Sequence, residues 1–232
     1  MHGIPSTHTF TVHEHTKKVL KNGNYLFIFY IARKVNYVDI NDAGEISLLR
    51  EAFDGRYKKC VKILDRGTNV NIANANHLTA LMVAAKFGYA DVCQLLLDRG
   101  GNPNLGDINE KTSLMWAVQG GQVGISRLLL NRGADPNIAS DDGSTPLIIA
   151  VWIGKYEICQ LLLDGGADMD LANKNGWTAL WMAANTRKFK ICQLLIKAGA
   201  DCRVIEDLID ELMLWAQRQN DPKMNSILET LR

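Results

Sequence analysis

Apolar and polar positions along this chain fall into blocks that return at a fixed distance. One block opens on threonine and runs through small and large apolar residues to a polar or glycine end. It reads TALMVAAKFG from Thr79, TSLMWAVQGG from Thr112, TPLIIAVWIG from Thr145 and TALWMAANTR from Thr178, each 33 residues after the last. One step further back, Ile46 opens a worn copy, ISLLREAFDG. A second phrase keeps the same step: CVKILDRGTNVN from Cys60, CQLLLDRGGNPN from Cys93, SRLLLNRGADPN from Ser126, CQLLLDGGADMD from Cys159 and CQLLIKAGADCR from Cys192. A period of this size marks a solenoid stacked from one small unit.

The unit itself is predicted to be two short helices and a projecting turn. In the copy around Thr145, the threonine hydroxyl is an N-cap and Pro146 takes the first helical position, where its missing N–H costs nothing. Leu147, Ala150 and Val151 share a face at helical spacing, and Gly154 ends the helix. A second helix follows with Ile158, Leu161 and Leu162 on its apolar side, and Gly166 ends it as a left-handed cap. The run ADMDLANKNG then carries Asn, Asp and Gly, which suit a tight turn. Two helices of about ten residues cannot bury their faces alone, so each unit needs neighbours. The expected fold class is all-α: a solenoid of stacked helix-turn-helix units with projecting β-hairpin-like turns. Five units are expected, at 41–73, 74–106, 107–139, 140–172 and 173–205.

These residues closely resemble the ankyrin repeat, whose pattern is Thr-Pro-Leu-His-x-Ala-Ala, then Gly, a leucine run and Gly-Ala-Asp-x-Asn. One departure is uniform: the family's histidine is replaced by Leu49, Met82, Met115, Ile148 and Trp181. The hydrogen bonds that this histidine makes to the hairpin turns are therefore expected to be absent. The resemblance implies a partner-binding concave face built from first helices and turn tips. It also implies that the asparagines ending the second phrase, Asn71, Asn104 and Asn137, are of the kind a cytosolic asparaginyl hydroxylase modifies. Asn71 and Asn137 are the candidates, and Asn137 also has Asp135 two residues before it.

Both ends read as worn repeats. Glu211 stands where a sixth threonine would be, and 206–232 is expected to form a C-terminal capping repeat with Gln217, Arg218 and Glu229 outward. Upstream, 11–40 reads either as a degenerate N-capping repeat or as a β-hairpin about Asn22-Gly23. The register continues into it, which favours the repeat. Residues 1–10 are expected to be disordered.

Composition narrows the functional classes. The 232 residues are 47% apolar with a formal charge of +1, which suits a core-forming protein and removes the basic stripe that nucleic acid requires. The longest apolar run, Tyr25–Ala32, is far short of the roughly 20 residues a membrane span needs, and RKVNY after it offers no signal-peptide cleavage site. Cys60, Cys93, Cys159 and Cys192 share one slot of successive units, filled by Ser126 in the third. Packed helices lie about 8–10 Å apart, beyond the Cα spacing of about 7 Å that a disulfide tolerates. They read as buried thiols of a reducing compartment, the cytoplasm or the nucleus. His8, His13 and His15 lack a second ligand cluster and read as exposed residues rather than a metal site. The GGQVG stretch at Gly120 lacks the lysine of a phosphate loop. No cofactor, no metal and no enzyme activity are expected, and the 40 residues before the repeats are too few to hold a catalytic core of their own.

Surface remains. Two slots vary from repeat to repeat. The pair before each helix-ending glycine slot is Phe53-Asp54, Lys86-Phe87, Gln119-Gly120, Trp152-Ile153 and Asn185-Thr186. The residue before each threonine slot is Glu45, Leu78, Lys111, Ser144 and Trp177. Large aromatics are enriched at interface hot spots, so Phe53, Phe87, Lys111, Trp152, Ile153, Trp177 and Asn185 are the candidate partner-binding residues. Trp116 and Trp181 are assigned to the core, and Met82, Met115 and Met182 to gap filling. The expected function is a monomeric protein-interaction adaptor binding a partner protein through its concave face. The alternative is a regulatory subunit or inhibitor that masks an enzyme or a transcription factor.

Overall fold

The computed structural model describes residues 45–220 and, beyond them, Pro222, Asn225, Leu228 and Glu229. Paired helices follow one another: α1 (Glu45–Phe53) with α2 (Tyr57–Leu64), α3 (Ala80–Phe87) with α4 (Ala90–Asp98), and α5 (Ser113–Gln119) with α6 (Val123–Asn131). Then come α7 (Pro146–Trp152) with α8 (Tyr156–Asp164), and α9 (Ala179–Asn185) with α10 (Phe189–Ala198). A 3-10 helix, Cys202–Leu208, leads into α11 (Ile209–Arg218). The reading of 1–10 as disordered, both readings of 11–40, and His8, His13 and His15 lie outside the described residues.

The threonine slots start the first helices of repeats two to five. The hydroxyls of Thr79, Thr112, Thr145 and Thr178 accept from the amides of Met82, Met115, Ile148 and Trp181, each satisfying a donor the helix leaves open. These helices stop just before a residue in the left-handed region, which is Gly88, Gly121 or Gly154, with Arg187 in the same slot of the fifth repeat at φ 55°. The first helices are buried more widely than the single face Leu147, Ala150 and Val151 predicts. All of Pro146–Val151 is buried, as are Ala80–Ala85 and Ser113–Val118. The reason is their position: each packs against its own second helix and against the first helices of the adjoining repeats. Second helices keep a polar outer side, with Ile158, Cys159, Leu161 and Leu162 inward. Cys60, Cys93, Cys159 and Cys192 are free thiols with no exposed surface, and in the third repeat the Ser126 hydroxyl donates to the Gln122 carbonyl at 2.9 Å.

Two ladders of polar contacts tie the turns together. In the first, the Asn71 carboxamide donates to the Gly100 carbonyl and accepts from the Asn102 amide. Asn104 repeats this with Gly133 and Asp135, and Asn137 with Gly166 and Asp168. In the fourth repeat Asp170 fills the slot and keeps only the accepting half, from the Asp201 amide at 3.0 Å. A carboxylate has no N–H to offer a carbonyl. Asp170→Asn is therefore expected to raise stability by about 0.5–1 kcal/mol in urea unfolding; an unchanged or lowered midpoint would show that the missing rung carries no weight.

The second ladder runs along the hairpin tips. The amides of Ile108, Asp141 and Lys174 donate to the carbonyls of Asn76, Asn109 and Asp142 of the preceding tips. Within each tip a side-chain oxygen holds the turn: Asn74, Asp107, Asp142 and Asn173 each accept from nearby backbone amides. Among the described residues the only extended pairing is an isolated bridge between Ala73 and Thr79.

The C-terminal end departs from the slot reading. Glu211 lies inside α11 rather than ahead of a helix, because the 3-10 run opened at Asp201 continues into α11 without a turn at that point. The Glu211 carboxylate pairs instead with Arg187 at 3.1 Å. Leu212, Ala216 and Leu228 are fully buried and close the apolar core.

Candidate functional site

A groove of about 500 Å³ opens on the face made by hairpin tips and first-helix ends. Its wall is supplied by the two variable slots. From the ends of α3, α5 and α7 come Lys86, Gln119 and Trp152; from the positions before α5, α7 and α9 come Lys111, Ser144 and Trp177. The slots pair by kind as the stack proceeds: two lysines first, two neutral polar residues next, two tryptophans last. Ile153, the C-cap of α7, adds to the apolar end, and Asp142 enters from a hairpin tip.

Local structure explains the exposure of the rings. Trp152 is the last residue of α7, beyond the part enclosed by neighbouring helices, and 62% of its surface is exposed. Trp177 is 36% exposed and stacks on Trp181, with ring centroids 4.9 Å apart and planes 10° apart. This stack half-covers Trp181, which the sequence assigned to the core. The Lys188 ammonium stands 5.9 Å from the Trp152 ring centroid, within reach of its π face.

The polar end is set by partial burial. The Lys86 ammonium donates to the Gln119 side chain at 3.4 Å and lies 5.3 Å from the Trp116 ring centroid. Burial first, and the Lys111 ammonium second, bring its pKa down to about 8. Burial pushes the Asp142 carboxyl up, but hydrogen bonds from the Ser140 hydroxyl and the Ser144 amide outweigh it, and the group ends below its ordinary value.

Of the residues singled out from sequence, Lys111, Trp152, Ile153 and Trp177 share this groove. Phe53 and Phe87 do not stand free: they meet edge to face at 4.9 Å across the junction of repeats one and two, and both are half-buried. Each ring covers the other, so the apolar area expected to face a partner there is largely used within the stack. Asn185 is exposed at the end of α9, outside the groove lining. Asn71 and Asn137 have both halves of their carboxamides engaged in the turn ladder. Lys86, Gln119 and Ser144, which the sequence does not single out, also line the groove, and the signal that finds them is their place in the same two variable slots.

Trp116 is buried, and its indole N–H donates to the Asp107 carboxylate of its own hairpin at 3.1 Å. A helix-to-hairpin bond is thus made in the third repeat, one position after Met115. Burial raises the Cys93, Cys159 and Cys192 thiols to about 12, so at neutral pH they are protonated and poor nucleophiles. Among the described residues no group of three His, Cys, Asp or Glu side chains is placed to hold a metal ion, and no helix is long and apolar enough to cross a membrane.

A family model for ankyrin repeats (three copies) matches residues 48–140 and 134–206. No curated protein matches the chain.

Proposed function

The chain belongs to the ankyrin-repeat family, and on that premise we propose that it is a non-catalytic adaptor that binds a partner protein along the face of its first helices and hairpin tips. The observation that carries this reading is Trp152. A ring with 62% of its surface exposed contributes little to the core, and it sits beside Trp177 and Ile153 in the wall of a groove. Anchors of this kind supply most of the energy of an interface. The buried free thiols favour a reducing compartment such as the cytosol.

The test separates binding from folding. Trp152→Ala is expected to leave the melting temperature within a few degrees, since an exposed ring holds no core together. It is expected to weaken binding to a partner recovered with the wild-type chain by about 2–4 kcal/mol, measured by calorimetry. Unfolding of the variant would make the ring structural. Undiminished binding by a folded variant would move the interface off this face.

A further inference from the structure

The order of residues along the groove says what its occupant carries. Lys86 and Lys111 form one end, Gln119 and Ser144 the middle, Trp152 and Trp177 the other end. Charge complementarity fixes the sign at the first end. Among the described residues two ammonium groups line this end against one carboxylate, Asp142, which the Ser140 hydroxyl, the Ser144 amide and the Lys111 charge keep ionised, so the lining there is positive on balance. The acidic tip residues Glu110 and Asp141 are not part of the lining. At the other end Lys188 adds a third cation, placed on the Trp152 ring, so the aromatic surface also has positive charge beside it and a basic segment is disfavoured at both ends.

Spacing fixes the geometry. Neighbouring packed helices lie about 8–10 Å apart, so the lysine pair and the tryptophan pair, two repeats apart, are separated by roughly 20 Å. An extended chain advances about 3.3 Å per residue and covers that distance in about six residues. The volume of about 500 Å³ is of the size that small ligands and short peptide stretches fill. We infer that the groove receives an extended segment of the partner protein that places an acidic side chain between Lys86 and Lys111 and, about six residues along, a bulky apolar side chain against Trp152 and Trp177.

This inference rests on the proposed partner-binding face and adds the chemistry of what binds there. The probes are fluorescein-labelled synthetic peptides in a Gly-Ser background, titrated by anisotropy against the full chain. One set carries two glutamates and a Trp-Leu pair about six residues apart, in both chain directions. Others carry the glutamates alone, the Trp-Leu pair alone, lysines in place of the glutamates, or both features two residues apart. The correctly spaced acidic-apolar peptide is expected to bind at least tenfold more tightly than any other. Lys111→Glu is expected to cost it about tenfold while sparing the Trp-Leu peptide, with Lys111→Met giving a smaller loss of the same kind. Trp152→Ala is expected to cost about 30-fold while sparing the preference for glutamate over lysine. Melting curves of each variant establish that it is folded.

Equal affinity for the glutamate and lysine peptides, no dependence on spacing, or no binding by any peptide would overturn the inference. So would a concentration-dependent dimer abolished by Trp152→Ala, since a second copy would then be the occupant. The broader reading fails separately: it falls only if binding of the recovered protein partner is also indifferent to Trp152→Ala.

Discussion

Raising the pH from 7.5 to 9.5 is expected to remove about 4 kcal/mol of folding stability. Four thiols cause it. Cys60, Cys93, Cys159 and Cys192 are fully buried, and burial raises the first to about 11 and the others to about 12. In the unfolded chain a thiol titrates near 8.5. A folded-state value above the unfolded one means that stability is fully present below about 8.5 and drains away as the pH climbs toward the folded values. One unit above the unfolded value, each thiol has given up about 1.4 kcal/mol, so four give up roughly 5. Lys86 acts in the opposite sense. Its folded value of about 8 lies below the usual 10.4 or so, so the cost of burying its charge is relieved between those limits. It is only partly enclosed, and it returns about 1 kcal/mol. The thiols win by number. Against a total of about 5–15 kcal/mol for an ordinary domain, the loss runs from about a quarter to most of what there is. Urea midpoints at the two pH values measure it. The third repeat already tolerates serine in this slot, so Cys159→Ser is the natural control and should reduce the pH-dependent loss by about a third. An unchanged pH dependence in that variant would mean that the thiols ionise without unfolding.

The repeat was legible because its signals are local and redundant. Thr145 and Pro146 announce a helix start in any context, and the same slot says so again at Thr79, Thr112 and Thr178. Cysteine in the second phrase was legible as a buried slot for the same reason. What was not legible depends on contacts between repeats. The mutual covering of Phe53 and Phe87 needs two rings to reach across a junction, and nothing in either slot alone distinguishes that from two exposed rings. Trp152 shares the slot of Phe53 and has the opposite outcome, because Thr186, which fills the slot of Phe87 in the following repeat, offers no ring to meet it. Glu211 misled because the slot was counted without its cap: glutamate cannot replace the threonine hydroxyl, and the 3-10 run from Cys202 carried the helix through the position. Trp116 was legible as core, but its bond to Asp107 was not, since it replaces the expected histidine from a neighbouring position. The groove was half-legible: its slots were evident from their variation, and its basic end emerged only when Lys86 and Lys111 were seen to face one space.

Two glycines in the third repeat should respond to alanine in opposite directions. Gly124 lies within α6, is exposed, and a Cβ there would meet nothing within 4 Å. Alanine loses less chain entropy on folding, so Gly124→Ala is expected to stabilise by about 1 kcal/mol. Gly120 caps α5 with φ −74° and ψ −11°, a conformation any residue adopts. Backbone conformation therefore gives alanine the same modest advantage there. Space does not. A Cβ on Gly120 would overlap the carbonyl oxygen of Lys86, with the carbonyl carbon of Lys86 and Cγ of Gln122 each at 3.1 Å. The obstacle is the backbone of the preceding repeat, which no rotamer change clears. Asp54, Phe87, Ile153 and Thr186 fill this slot elsewhere, so the demand belongs to the junction of repeats two and three, not to the repeat in general. Relief requires that junction to part, and overpacking of this rigid kind costs about 1–3 kcal/mol, at the upper end when backbone must move. Net of the entropic gain, Gly120→Ala is expected to destabilise by about 2 kcal/mol, so the two variants should differ by about 3 kcal/mol in urea unfolding. The junction also carries Lys86 at the basic end of the groove, where the Gln122 carboxamide reaches the same Lys86 carbonyl at 3.5 Å. Parting it should weaken the preference for the acidic peptide in a variant that is still folded, and leave contact with Trp152 intact. A Gly120→Ala protein as stable as Gly124→Ala would mean that the repeats slide past one another freely, and with that the fixed spacing of lysines and tryptophans along the groove would be lost.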